Sequence, residues 1–140
     1  MLDYKVLIEA AFEARRNAYA PYSHYRVGAA LLCKDGTIVK GCNVENASYG
    51  ATVCAERVAV FSAVASGKRR FEALAVAGGA DDEDDELSSM AYPCGVCRQV
   101  LREFADPATF KVYVARSADD YEQYTLEELL PKSFGPDNLK

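Results

Sequence analysis

Through the first stretch of the chain, Val6, Leu7, Ala10, Ala11 and Ala14 recur at spacings of three and four. They predict an amphipathic helix from Asp3 to about Tyr19, ended by Pro21. The period then changes. Tyr25 to Cys33 is almost continuously apolar from Val27 on, as expected for a strand covered on both faces. Lys34-Asp35-Gly36-Thr37 carries the Asp-Gly pair of a tight two-residue hairpin, so the return strand, Ile38 to about Asn43, must run antiparallel. A second helix is expected from Cys54 to Ser66, ended by Gly67, and a strand from Phe71 to Ala77. A loop with Gly78-Gly79 and the acidic run 81–86 comes next. A third helix from about Cys94 to Phe104 and a strand from Phe110 to Ala115 follow. The connection 116–120 is too short for a parallel crossover, so a strand at Tyr121–Thr125 must return antiparallel. Leu126–Leu130 reads as a short helix before Pro131. With no repeat and no linker, the expectation is a single domain over 1–140. Its class is α/β, a three-layer α/β/α arrangement with helices on both faces of a mixed sheet of about five strands.

Composition narrows the function more than the fold. Half of the 140 residues are hydrophobic, enough for a proper core. The formal net charge of −5 lacks the basic footprint of a sequence-independent grip on nucleic acid, and suits a small ligand better. Five cysteines, an odd number with two in a C-x-x-C pair, argue against a secreted disulfide framework. The first residues, Met1-Leu2-Asp3-Tyr4-Lys5, interleave charges, and the longest apolar run is too short to span a bilayer. A cytoplasmic location and no membrane partner are the resulting expectations.

Cys54-Ala55-Glu56 and, about forty residues on, Pro93-Cys94-Gly95-Val96-Cys97 carry the chemistry. Three thiolates can give a Zn²⁺ ion three protein bonds and leave the fourth tetrahedral position open for water, the mark of a catalytic zinc site. Glu56 can then move that water's protons without being a ligand. Cys94 and Cys97, three apart, present both sulfurs to one point from the first turn of the third helix. Cys54 and Glu56 converge only if Cys54 caps the second helix and the ion lies off its N-terminus. Two helix N-termini aimed at one ion favour negative charge and lower thiolate pKa values. Three thiolates leave about −1 on the site, so a cation should draw density back from sulfur. Arg57, on the face of Cys54, is favoured over Arg98 for that role. A closed structural site would need Cys33, Cys42 or His24 as a fourth ligand. The two cysteines read better as core residues and the histidine as a solvated loop residue. The acidic run 81–86 reads as a solvated loop of like charges.

Several linked stretches together resemble cytidine deaminase, in its small, three-cysteine, homotetrameric branch. They are Tyr19-Ala20-Pro21-Tyr22-Ser23, Val27-Gly28-Ala29-Ala30-Leu31, Gly41-Cys42-Asn43-Val44-Glu45-Asn46-Ala47-Ser48-Tyr49, Cys54-Ala55-Glu56-Arg57 and Pro93-Cys94-Gly95-Val96-Cys97-Arg98-Gln99. The likeness runs on through Glu127-Glu128-Leu129-Leu130-Pro131 and Phe134. It implies a cytidine deaminase-like fold and one Zn²⁺ per subunit on Cys54, Cys94 and Cys97, with Glu56 catalytic. It also implies Asn43 and Glu45 on the ribose 3′-hydroxyl, the Ala55 backbone on the base, and Tyr49 and Phe134 reaching a neighbouring subunit's site. Tyr25 stands where the family usually places a phenylalanine against the pyrimidine. The implied reaction is hydrolytic deamination of cytidine and 2′-deoxycytidine in pyrimidine salvage, by a homotetramer. The rivals are a blasticidin S-type nucleoside antibiotic deaminase, a polynucleotide-editing deaminase and a non-catalytic zinc-stabilised interaction module.

Overall fold

In a computed structural model that describes residues 4–140, five strands form one sheet. They are β1 (Tyr25–Cys33), β2 (Ile38–Cys42), β3 (Phe71–Ala80), β4 (Lys111–Ala115) and β5 (Tyr121–Thr125), ordered β2-β1-β3-β4-β5. The helices are α1 (Tyr4–Arg15), α2 (Ala55–Ala65), α3 (Gly95–Phe104) and α4 (Leu126–Leu129), with 3₁₀ turns at Tyr49–Ala51 and Pro136–Leu139. β1 lies antiparallel to both β2 and β3, β3 and β4 are parallel across α3, and β4 and β5 are antiparallel. The sheet is therefore mixed, as the pattern predicted.

Alternation along the strands builds two cores. Ala29 and Leu31 of β1, Leu74 and Val76 of β3, and Val112 and Val114 of β4 face α2, α3 and Leu126 of α4. The intervening residues Ala30, Leu32, Ala73, Ala75, Tyr113 and Ala115 face Leu7, Ile8, Ala11 and Phe12 of α1. Helices thus cover both faces, and β1 is apolar on both sides because it lies inside the sandwich.

Three expectations about boundaries differ. The expected helix start at Asp3 lies outside the described residues, and α1 stops at Arg15, not Tyr19. Tertiary pairing takes over beyond it. The Tyr19 N–H donates to the Asn43 carbonyl at 3.0 Å and the Glu45 N–H to the Tyr19 carbonyl at 2.9 Å, clamping the chain beyond β2. The hairpin loop has three residues, not two. Cys33 N–H donates to Thr37 O at 2.8 Å, and Gly36, at φ 91°, supplies the left-handed residue that closes such loops. Gly78 and Gly79 lie inside β3, opposite Val27 and Arg26, because strand pairing outweighs their loop preference. The turn at Pro136–Leu139 has no counterpart in the expectations.

The acidic run is exposed except at half-buried Glu83, as expected of a solvated loop, and its backbone is held at several points. Buried Arg15 donates to the carbonyls of Arg26, Gly79, Ala80, Glu83 and Asp84. The Glu83 carboxylate accepts from the Ala80 and Ser88 N–H groups. The basic run Lys68-Arg69-Arg70 follows α2. Lys68 pairs with Asp35, and Arg69 donates to the Val64 carbonyl at 2.7 Å, where cations suit a helix C-terminus.

Candidate active site

The site is built where α2 and α3 begin. Cys54 is the N-cap of α2, with extended backbone (φ −71°, ψ 155°), and Cys94 caps α3 in the same way (φ −70°, ψ 167°). Each cap carbonyl already accepts the first intrahelical bond, from Val58 and Arg98 respectively. Neither cysteine side chain caps its own helix, which leaves both sulfurs free for other partners. Backbone packing brings α2 into place. A Cβ on Gly41 of β2 would lie 2.5 Å from both the Ala55 carbonyl and the Ala59 nitrogen, so only glycine lets the helix start so close to the strand.

At this point of convergence the Sγ atoms of Cys54, Cys94 and Cys97 lie within 4.8 Å of one another. Cys54 and Cys94 are 3.9 Å apart, Cys94 and Cys97 3.5 Å, and none is in a disulfide. Arg57 Nη2 lies 3.4 Å from Cys54 Sγ, while Arg98 turns away to the carbonyls of Pro93 (2.7 Å) and Leu129 (2.6 Å). Of the two arginines weighed for the thiolate, the fold brings Arg57. Hydrogen bonding with Cys97, then with Arg57 and Cys94, draws the Cys54 thiol down to about 5 against the effect of burial. The same bond to Cys54, together with burial, pushes Cys97 up. Glu56 is only 5% exposed, and burial raises its carboxyl to about 7. A carboxyl poised there can both take and give a proton near neutrality.

A cavity of about 550 Å³ opens onto this cluster, lined by Tyr25, Asn43, Glu45, Cys54, Ala55 and Glu56 among others. Asn43, 9% exposed, is fixed by two bonds. Its Oδ1 accepts from Val27 N–H at 2.9 Å, and its Nδ2 donates to Tyr25 O at 2.8 Å. An amide nitrogen carries two hydrogens, so one remains for a ligand. Glu45 accepts from the Tyr22 and Ser23 N–H groups through Oε1 and from the Ser23 hydroxyl through Oε2, which lowers its pKa, the hydroxyl bond contributing most. The two residues expected to read a hydroxyl thus also lock the loop before β1. Ser23, Thr52, Met90, Ala91 and Tyr92 line the cavity without having been singled out in the sequence. For the last three, proximity to Pro93-Cys94 was the available signal.

Other expected residues lie elsewhere. Tyr49 is 75% exposed, in edge contact with Tyr22 at 6.0 Å, and Phe134 is 60% exposed. Neither lines the cavity. Cys33 and Cys42 are outside the sulfur cluster, and burial raises both thiols. His24 is exposed, with Nδ1 3.0 Å from Asp81 Oδ2. Asp85 and Glu86 border a separate groove against α1. No helix among the described residues is long and apolar enough to cross a membrane.

The donor set fits zinc. Three sulfurs at helix N-termini, one already favoured as thiolate and one held by an arginine, suit a borderline-soft ion. Among the described residues no histidine or carboxylate joins the group, which leaves it short of a closed four-ligand site. Residues 1–114 match the cytidine and deoxycytidylate deaminase zinc-binding region. The chain belongs to this deaminase family. It is 46% identical over 138 residues to cytidine deaminase of Sporosarcina psychrophila, covering 99% of this chain and 96% of the relative. The cytidine deaminase of Halalkalibacterium halodurans is 44% identical over 138 residues, covering 99% and 98%. The crystal structure of cytidine deaminase from Burkholderia pseudomallei superposes with a TM-score of 0.84 at 47% identity, covering 95% of this chain and all of that one.

Proposed function

We propose that this chain is a zinc-dependent cytidine deaminase. It converts cytidine and 2′-deoxycytidine, with water, to uridine and 2′-deoxyuridine plus ammonia, in pyrimidine salvage. The observation that carries the reading is Glu56, almost fully buried in the cavity wall two residues from a cysteine whose sulfur converges with two others. The cavity lining contains no lysine or arginine, and its Glu45 is anionic. A phosphate would find no counter-charge there, which favours a nucleoside over a nucleotide.

Cys54, Cys94 and Cys97 would hold one zinc ion per subunit. Bound there, zinc supplies a Lewis acid that lowers the pKa of a water. Glu56 takes one proton from the attacking water and delivers it to the ring nitrogen beside C4, then takes the proton of the new C4 hydroxyl and passes it to the amino group, which leaves as ammonia while the C4 carbonyl forms. Its carboxyl near 7 suits both directions of transfer. Arg57, donating to Cys54 Sγ, offsets the excess charge of three thiolates. Tyr25 lays its ring against the pyrimidine, the Ala55 backbone meets the base, and Asn43 and Glu45 share the ribose 3′-hydroxyl. Donor and acceptor are both available there, since Asn43 keeps a spare N–H and a carboxylate has further lone pairs. Tyr49 and Phe134, exposed on a single chain, would be covered by neighbouring copies in a homotetramer acting in the cytoplasm. Ultraviolet assay with cytidine, cytidine monophosphate and blasticidin S tests the substrate. Turnover of cytidine alone is expected. Preference for the antibiotic or the nucleotide would overturn the assignment.

A further inference from the structure

The cavity wall leading to Cys94 is held by side chains rather than by its backbone. Residues 89–92 lie between Ser88, whose N–H donates to Glu83, and Pro93, whose carbonyl accepts from Arg98. Among the described residues, the backbone of 89–92 makes no hydrogen bond. Yet Met90, Ala91 and Tyr92 all line the cavity. Met90 packs against the core over α2 and α3, and two further features fix the segment. Ala91 seats on Gly78 of β3, where an added Cβ would come within 2.7 Å of the Ala91 methyl, 3.0 Å of Val27 and 3.1 Å of the Tyr25 ring. The other is polar. The Tyr92 hydroxyl donates to Glu122 Oε1 at 2.6 Å, and Tyr124 donates to the same oxygen at 2.8 Å. The rings of Tyr92 and Tyr124 meet edge to face, 6.3 Å apart. Glu122 belongs to β5, the edge strand, so this bond ties the wall to the rigid sheet. Its carboxyl is held below the ordinary value, by Tyr92 first and Tyr124 next, which keeps it an ionised acceptor.

We propose that Tyr92 and Glu122 form a strut that sets the position of this wall, with Glu122 a positioning residue for substrate acting through Tyr92. The inference rests on reading the cavity as the nucleoside pocket. With the strut cut, a wall with no backbone tether is left on apolar contacts alone, and the cost of ordering its Tyr92 end falls on binding rather than on the chemical step.

Four variants test this: Tyr92→Phe and Glu122→Ala cut the strut, Glu122→Gln keeps an acceptor, and Tyr124→Phe leaves the Tyr92 bond. Each is assayed for cytidine KM and kcat, zinc content, uridine binding by calorimetry and amide hydrogen exchange of 88–93. The cut variants are expected to raise KM and the uridine Kd about 5–10-fold, with kcat within about threefold, zinc unchanged and faster exchange in 88–93. The double variant Tyr92→Phe/Glu122→Ala should be no worse than either single one. Glu122→Gln and Tyr124→Phe should stay within about twofold. The strut is refuted if both cut variants keep KM within twofold and exchange unchanged, or if they lose zinc while KM holds. A wild-type protein without cytidine turnover would overturn the nucleoside reading instead, and the exchange data would still decide the strut.

Discussion

Asn43 provides the sharpest quantitative test, because its side chain serves the fold and the cavity at once. Replacement by alanine removes an acceptor from Val27 N–H and a donor from Tyr25 O, at 2.9 and 2.8 Å. Leaving a buried polar group unsatisfied costs about 1–3 kcal/mol each. Tyr25 is partly open to solvent, so its carbonyl falls at the low end, and the two together come to about 2–4 kcal/mol. Against a total stability of about 5–15 kcal/mol for a domain, that is a large but survivable loss. Urea unfolding followed by circular dichroism, at equal zinc occupancy, should show a lower midpoint with the slope unchanged. Cytidine KM should rise in the same protein, since the start of β1 that carries Tyr25 loses its clamp. A destabilisation below about 0.5 kcal/mol would refute the claim that these two bonds hold the pocket's edge.

Three further outcomes follow from the same geometry. Arg57→Ala removes the arginine contact to the Cys54 sulfur and should weaken zinc retention about 10–100-fold in chelator competition; unchanged retention would discard the charge-offset role. Gly41→Val drives a side chain into the Ala55 carbonyl and the Ala59 nitrogen, and should lower both the melting temperature and zinc content; a protein that keeps both would show that α2 does not need this close seat. Stripping zinc with a chelator should abolish turnover, and zinc should restore it. Activity surviving in verified metal-free protein would exclude a metal-dependent reaction.

Much of this was legible in the sequence because the determinants are local. The helix starts at Cys54 and Cys94 could be read from spacing alone: residues two apart cannot share a helix face, so Cys54 had to be a cap, and it is. Spacing put both Arg57 and Arg98 within reach of a thiolate; the fold separates them, because Arg57 meets Cys54 while Arg98 is occupied by Pro93 and Leu129. What escaped depended on distant partners. Gly78 and Gly79 carry turn chemistry, yet β1 claims them as strand. The tail of α1 yields to Tyr19 pairing with Asn43 and Glu45, about 25 residues away in the chain. Asn43 and Glu45 were expected to meet a ligand and not to act as clamps, since their partners at Ser23, Tyr25 and Val27 meet them only after β1 and β2 pair. Tyr92 carries no local signal of its bond to Glu122, thirty residues on.

The central claim is that three sulfurs hold one zinc beside a carboxyl that moves protons. Zinc content and cytidine-to-uridine turnover, measured on the same preparations of wild type and Glu56→Gln, test it most directly. The expected result is about one zinc per chain in both, with turnover lowered by about 10²–10⁴-fold or more in the variant. A zinc-loaded Glu56→Gln protein turning over within tenfold of wild type would contradict it.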